Sequence, residues 1–245
     1  SALALTLSGA AATSHHVFNS AAPPFSGGLN VQSAQVYLRN GNLGTGSIVL
    51  GDGAMVNLIG RSISSSVSVV AGAAATLANT SSTESVLSGS LSLAAGSVLS
   101  IGGGDTSIGN NLPLGKFSIT GSVSGAGTLR KVGISNVKLN GDNALFAGQL
   151  SVQQGRITLG HGSALGTSQV SIANGGALDL NGFSTTTHFT LASVSGDYFS
   201  SYSQAAPLVN YSATPAIISG DIDLGADSAI FSSADLTFNG VIRTG

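Results

Sequence analysis

Short stretches in which apolar and polar residues alternate run through the whole chain. Clear examples are LALTLSG (3–9), SVSVVAG (66–72), GSLSLAAG (89–96) and DIDLGAD (221–227). A period of two predicts half-buried β-strands of three to five residues. Apolar positions with helical spacing are missing, and Glu, Lys and Arg are scarce. The pattern therefore predicts an all-β chain without helices.

The predicted strands follow one another at intervals of roughly 7 to 12 residues, which fits either an antiparallel sandwich or barrel or a β-solenoid. Internal similarity favours the solenoid, because residues 25–60 align with residues 146–182. Residues 5–9 also align with 137–141, and residues 87–100 with 218–231. The matched positions include Phe25 and Phe146, Leu29 and Leu150, Val31 and Val152, Leu38 and Leu159, and Leu43-Gly44-Thr45 and Leu165-Gly166-Thr167.

These alignments predict a single β-helix segment over residues 1–245. It consists of two imperfect copies of one long repeat, about 5–136 and 137–245, with loop inserts at 10–24 and 193–215. Each coil is expected to stack on its neighbours, with small and branched aliphatic side chains inside and Gly, Asn and Ser at the corners. Both ends of the chain fall within the pattern, so we expect a fragment of a longer chain.

Composition excludes several classes of function. Only 7% of the residues are charged, the net charge is −2, and the few basic residues are scattered except for Arg130-Lys131. Nucleic acid binding needs clustered basic charge, so no nucleic acid partner is expected. The absence of cysteine excludes disulfides, Cys-ligated zinc and thiol catalysis. Every apolar run is too short for a membrane-spanning helix.

One segment carries the signs of a known repeat. A glycine-rich turn precedes a Leu and a Lys-x-Gly, and an Asn-Gly follows the next strand. After an aromatic residue, a Leu-x-Val strand and an LGT turn, the segment closes on Gly-Ala-Leu-x-Leu. The residues are Gly125, Gly127, Leu129, Lys131, Gly133, Asn140, Gly141, Phe146, Leu150, Val152, Leu165–Thr167 and 176–180. This segment resembles the passenger-associated β-strand repeat of Gram-negative autotransporter proteins.

The resemblance implies a right-handed parallel β-helix that is exported through the outer membrane and displayed outside the cell or on its surface. Membrane attachment would come only through a missing C-terminal β-barrel. In that family the repeat is a scaffold, so the resemblance implies no chemistry of its own. The first copy departs from the pattern, because its closing strand reads GDGAMVNL and residues 61–116 match only as generic β-helix.

Parallel β-helices also include enzymes that act on polysaccharides, so the acidic and histidine residues were considered as candidate sites. Asp221 and Asp223 share a strand face, and two carboxylates there could bind Ca²⁺ or act as general acid and base. We interpret them as outward-facing surface residues, because no basic residue stands near them in sequence. Asp227 and Asp235 complete this acidic region. His15 and His16 could bind a metal, but adjacent residues of an extended segment point to opposite sides, and we interpret them as part of a solvated loop. His161 and His188 are interpreted as turn or surface residues, and the GGGD at 102–105 lacks the context of a calcium-binding repeat or a phosphate loop.

No catalytic, cofactor-binding or metal-binding residue is therefore predicted, and no cofactor. The candidate contact loop lies in the tyrosine-rich insert and comprises Tyr198, Phe199, Tyr202 and Tyr211. The expected function is that of a structural and adhesive segment of a secreted surface protein, with lateral self-association or a host or matrix surface as partner. The alternatives are a polysaccharide-acting enzyme and a passive spacer for another domain.

Overall fold

The computed structural model describes residues 4–9, 14–19, 26–40, 43, 45–102, 116–192 and 206–244. These residues form twenty-six short β-strands and no helix. Every strand is three to five residues long, and buried positions alternate with more exposed ones in most of them. The prediction of an all-β chain is confirmed.

In chain order the strands are β1 (Leu5–Ser8), β2 (His15–Phe18), β3 (Leu29–Gln32), β4 (Gln35–Leu38), β5 (Ile48–Leu50), β6 (Met55–Asn57), β7 (Val67–Val69), β8 (Ala74–Ala78), β9 (Ser85–Leu87), β10 (Leu91–Leu93), β11 (Val98–Gly102), β12 (Phe117–Ile119), β13 (Val123–Gly125), β14 (Thr128–Lys131), β15 (Asn136–Leu139), β16 (Gln149–Val152), β17 (Gly155–Leu159), β18 (Gln169–Ile172), β19 (Gly176–Asp179), β20 (Phe189–Leu191), β21 (Leu208–Asn210), β22 (Ala216–Ile218), β23 (Ile222–Leu224), β24 (Ile230–Ser232), β25 (Leu236–Phe238) and β26 (Ile242–Thr244).

All pairings between these strands are parallel, and successive strands move from one sheet to the next, which confirms the predicted β-solenoid. The four sheets are A (β1-β3-β5-β7-β10-β13), B (β2-β4-β6-β8-β11-β14-β16-β18-β20-β23-β26), C (β9-β12-β15-β17-β19-β21-β24) and D (β22-β25). Sheet B joins eleven strands along the whole rod, and at about 4.8 Å per strand it spans roughly 50 Å.

The core consists of ladders in which one inward side chain stacks on the next. Between Val36 and Leu191, the inward ladder of sheet B is fully buried. Each buried aliphatic side chain contributes roughly 1.5–3 kcal/mol relative to an exposed one. This ladder consists of Val36, Val56, Leu77, Ile101, Lys131, Val152, Ile172 and Leu191.

Lys131 lies within this apolar ladder and is completely buried. Its ammonium group donates hydrogen bonds to the carbonyls of Val132, Gly133 and Gln154, at 2.8 Å for Val132 and 2.9 Å for Gln154. Buried charge is costly unless hydrogen bonds compensate for the lost hydration. Three backbone carbonyls match the three donors of the ammonium group, so Lys131 joins two successive coils at one corner of the rod.

The described strands divide into two units of thirteen, β1–β13 and β14–β26. The aligned Leu29 and Leu150 begin the strand pairs at β3 and β16, and Leu38 and Leu159 end β4 and β17. If strands are counted along the chain from these two aligned pairs, each strand of the first unit corresponds to the strand thirteen places later. Strands of sheet A correspond to strands of sheet B, those of B to C, and those of C to D. The second unit thus repeats the first, but it is displaced along the rod and rotated about the rod axis, so that each of its strands lies in the next sheet.

A shared corner shows how closely the units correspond. In the first unit, Asn57 accepts a hydrogen bond from the amide of Ile59, and Asn79 on the next coil accepts one from Gly60 at 2.9 Å. In the second unit, Asp179 accepts a hydrogen bond from Asn181, and Asn210 accepts one from Gly182 at 2.8 Å. The side-chain amides of Asn79 and Asn210 donate to the carbonyls of Thr83 and Thr214, four residues later in each case.

Glycine is required at this corner for two reasons. Gly60 and Gly182 have φ of 76° and 82°, a conformation that side chains disfavour. An added Cβ would also lie 2.8 Å from the Cβ of Thr83 at Gly60 and 2.7 Å from the Cβ of Thr214 at Gly182. The preceding residues, Ile59 and Asn181, share the positive φ (47° and 50°).

The structure differs from the sequence analysis in the segments that were interpreted as loop inserts. Strand β2 lies within 10–24 and pairs in register with β4, and strand β21 lies within 193–215. Residues 5–9 correspond to 129–133 and not to 137–141, because Leu5 and Leu129 pair with the equivalent Leu29 and Leu150. A short alternating strand carries too little sequence information to separate these two alignments.

Candidate contact surfaces

Asp221 and Asp223, which the sequence analysis interprets as outward-facing surface residues, belong to a charged cluster on the outer face of sheet B. Arg243 Nη1 lies 2.8 Å from Asp221 Oδ2 and 3.7 Å from Asp223 Oδ1. His188 Nε2 lies 2.8 Å from Asp223 Oδ2. No basic residue stands near these carboxylates in sequence, but the fold brings Arg243 and His188 next to them. The coil brings β20, β23 and β26 side by side, and it places residues 20 to 35 positions apart in direct contact.

This cluster fits an ion pair between coils better than an acid–base pair. The amide of Val241 and the guanidinium of Arg243 both donate to Asp221 and hold its pKa below the usual value. Its carboxylate in turn raises the pKa of Arg243. A carboxyl with a depressed pKa stays ionised at neutral pH and is a poor general acid. The side chains of Asp221, Asp223 and Arg243 are 36%, 38% and 51% exposed, so water screens the interaction.

The other candidates are dispersed over the rod. Asp227 and Asp235 lie outside the strands and are exposed. His15 packs against Tyr37 with ring centroids 5.4 Å apart, and His161 accepts a hydrogen bond from the amide of Ser163 within a turn. His16 follows His15 on β2 with its side chain on the other face of the strand. Of GGGD, only Gly102 is described; it ends β11.

No metal centre is apparent in the part of the chain that the structure describes. Among those residues, no three His, Asp or Glu side chains lie close enough together to hold an ion.

Tyr211 packs on the outside of sheet C. Its ring centroid lies 5.5 Å from that of Phe231, and the Cζ atom of Arg156 lies 4.8 Å from the tyrosine ring centroid. The side chain is half-buried, which leaves part of an aromatic surface at the face of the rod. Tyr198, Phe199 and Tyr202, the other members of the predicted contact loop, lie outside the described residues.

A shallow groove of about 320 Å³ lies where the coil of β18 and β19, which has two strands, is followed by the coil of β20, β21 and β22, which has three. The turn at Leu165 and Gly166 forms one wall, and Ser184, Ile217 and Ser219 form the other. Serine, threonine, glycine, asparagine and aliphatic residues line it, and none of the lining residues is ionisable. The groove offers hydroxyl groups for hydrogen bonding but no acid or base.

The outer face of sheet B is the longest surface of the rod. One outward row passes from Thr76 to Thr190 over six paired strands and carries a single charged side chain, Arg130. Strand pairing brings these side chains into a line with the inter-strand spacing of about 4.8 Å. The sequence showed that charged residues are scarce, but it could not show which side chains align. The row consists of Thr76, Ser100, Arg130, Ser151, Ser171 and Thr190.

Within the described residues, no helix is long and apolar enough to cross a membrane. Comparisons with models of known protein families, with curated proteins and with solved structures find no match to this chain.

Proposed function

We propose that this chain is a structural and adhesive β-helical segment of a secreted, autotransporter-like surface protein. Its rods attach to one another or to a host or matrix surface outside the cell. The passenger-type repeat motif supports the extracellular setting, and the parallel β-solenoid is compatible with it. No cofactor or catalytic residue enters this proposal.

The outer face of sheet B carries the proposal. This face is continuous over eleven strands, and the row from Thr76 to Thr190 is nearly uncharged. Two such faces can approach without strong charge repulsion, and hydroxyl groups at a regular spacing can exchange hydrogen bonds along the rods. Lateral contact along a roughly 50 Å rod adds many weak interactions into one stable association.

Charge insertion on two faces tests this proposal. The double variant S151E/S171E adds two carboxylates to the outer row of sheet B, and S68E/S92E adds two at paired outward positions of sheet A. We expect the wild type to self-associate in light scattering, and protein-coated beads to attach to cells or matrix. The sheet B variant should lose most of both signals, whereas the sheet A variant retains them. Absence of both signals in the wild type would refute the proposal.

The competing function, an enzyme acting on a polysaccharide, draws on the cluster of Asp221, Asp223 and Arg243. The ionised state of Asp221 and the lack of an ionisable group in the groove give it less support. A D221N/D223N double variant separates the two functions. Loss of glycan turnover in this variant would favour the enzyme, and unchanged bead attachment would favour adhesion through the face of sheet B.

A further inference from the structure

The outer row of sheet B carries two opposite charges at equal distances from a central serine. Strand pairing continues the row from Arg130 through Ser151, Ser171 and Thr190 to Asp223. Ser171 of β18 is the middle position, and each charged residue lies two strands away from it. At about 4.8 Å per strand, each charge is roughly 10 Å from Ser171 along the rod. These five positions therefore read basic, hydroxyl, hydroxyl, hydroxyl, acidic.

Both charged groups have room for a further partner. Arg130 is an outward residue of β14, and its buried Nε atom has no hydrogen-bond partner. Among the described residues, its guanidinium forms no ion pair. Asp223 Oδ2 contacts His188, but Asp223 Oδ1 lies 3.7 Å from Arg243 Nη1, beyond hydrogen-bond distance. The face thus presents a guanidinium and a partly exposed carboxylate oxygen about 19 Å apart along the rod.

A two-fold axis along β18 makes this row complementary to itself. An axis that lies between two such faces and runs parallel to the strands reverses the direction of the second rod. It also keeps the outer row of one copy over the outer row of the other. Arg130 then faces Asp223 of the second copy, Ser151 faces its Thr190, and Ser171 faces its own equivalent. Because the contact is isologous, each ion pair forms twice.

The neighbouring outward row of sheet B fits the same arrangement. Its members precede those of the first row by two residues in each strand, and the axis along β18 brings no charge of this row against a like charge. Thr128 faces Asp221 of the second copy, and Gln149 faces its His188. A two-fold axis along the rod would instead set the aspartates of β23 against those of the second copy, and like charges in contact are destabilising. The row consists of Thr128, Gln149, Gln169, His188 and Asp221.

We propose that the outer face of sheet B binds a second copy of this chain in the antiparallel orientation. The contact is centred on Ser171 and is held by two ion pairs between Arg130 and Asp223. This inference rests on the lateral association proposed above and specifies its orientation and register. Opposite charges at fixed positions determine the register of an interface, and the hydroxyl groups between them supply hydrogen bonds. Strands β14 to β23 of sheet B are each paired on both edges, so the contact uses neither end of the rod.

Charge reversal tests the two ion pairs. R130D sets a carboxylate against Asp223 of the second copy, and D223R sets a guanidinium against its Arg130. In sedimentation velocity, each variant alone should therefore self-associate roughly tenfold more weakly than the wild type, or less. An equimolar mixture should associate nearly as strongly as the wild type, because both ion pairs between the two variants again join opposite charges. A mixture that associates no better than the single variants would overturn this pairing.

A crosslinking comparison tests the orientation without a charged substitution, so it holds even if D223R disturbs the coil next to Arg243. The chain has no cysteine, and stacked sheet faces lie about 10 Å apart. A short bis-maleimide crosslinker should therefore join S171C to S171C at the axis. The matched control, S100C, lies in the same row three strands earlier, so its two copies are about 29 Å apart along the rod. Equal crosslinking of S171C and S100C would overturn the inference.

The outcomes separate this inference from the proposed function. If the wild type self-associates and S151E/S171E does not, but S100C crosslinks as well as S171C, the lateral contact stands and the antiparallel register is wrong. A wild type that stays monomeric at all concentrations overturns the inference. The proposed function is then refuted as well only if protein-coated beads also fail to attach to cells or matrix.

Discussion

The two thirteen-strand units build the same coil from different residues. Several corner hydrogen bonds recur in both, through Asn79 and Gly60 in the first unit and through Asn210 and Gly182 in the second. Inward positions are less strict, because the first unit has Leu7 where the second has the buried Lys131. Side-chain amides and glycines at corners therefore define this coil more closely than the identity of individual core residues does.

The largest expected effect comes from truncating equivalent core leucines. Leu29 and Leu150 occupy the same position in the two units, and both are buried. We expect L29A and L150A each to lower the free energy of unfolding by about 2–5 kcal/mol, through lost burial and the cavity left behind. Chemical denaturation measures this, with L145A as an exposed control that changes stability little. A large effect in only one unit would break the correspondence.

The next largest loss of stability is expected from replacing the corner asparagines, Asn79 and Asn210. In N79A and N210A, the amide of the facing glycine and the carbonyl of Thr83 or Thr214 lose their partner. These hydrogen bonds are partly buried, and a lost partner costs up to roughly 1–3 kcal/mol, so both variants should be clearly destabilised. The loss should be larger in N79A, because Asn79 also bonds the carbonyl of Lys116 and the amide of Ser81. The exposed Asn239 provides the control, N239A. If N79A and N210A unfold like the wild type, the corner does not hold the coils together.

Exchange of the buried lysine tests the difference between the units. In K131M the side chain keeps its approximate length, but the carbonyls of Val132, Gly133 and Gln154 lose a charged donor. We expect a loss of about 1–3 kcal/mol in the free energy of unfolding. Lys138 is exposed on sheet C, and K138M should leave stability nearly unchanged. Stabilisation by K131M would mean that desolvation of the ammonium outweighs its hydrogen bonds.

The smallest effect concerns the exposed ion pairs of the last coils. The pKa of Asp221 is lower in the folded state, so its contribution is present above the unfolded pKa of about 3.8 and is lost as pH falls through the folded value. The protection factors of the β26 amides, which are corrected for the intrinsic pH dependence of exchange, should therefore fall in acid in the wild type. In D221N the same amides should exchange faster at neutral pH and respond less to acid. An unchanged acid response in D221N would assign that response to another group.

Much of this fold follows from sequence because the signal is local. Alternation predicted the strand at Val67–Val69 and the strand at Ile222–Leu224, and the 25–60 alignment predicted the matching coils. The sheet to which each strand belongs could not be predicted, since a strand such as β16 has the same alternating pattern whether it lies in sheet A or in sheet B. Sequence analysis also missed the pairing of Asp223 with Arg243, because the contact depends on the number of residues in each coil. The spacing of about 20 residues between DID (221–223) and VIR (241–243) was the available signal.

The rotation of the second unit onto the next sheet is the central structural claim, and two double-cysteine variants test it most directly. The structure places Ser151 of β16 opposite Arg130 in sheet B, and not opposite Ser124 of β13 in sheet A, where β16 would lie without the rotation. Directly opposite residues on adjacent strands have Cα separations near 5 Å, which suits a disulfide. In oxidised monomers, R130C/S151C should crosslink fully and S124C/S151C should not. Efficient crosslinking of S124C/S151C, with free thiols in R130C/S151C, would contradict the account.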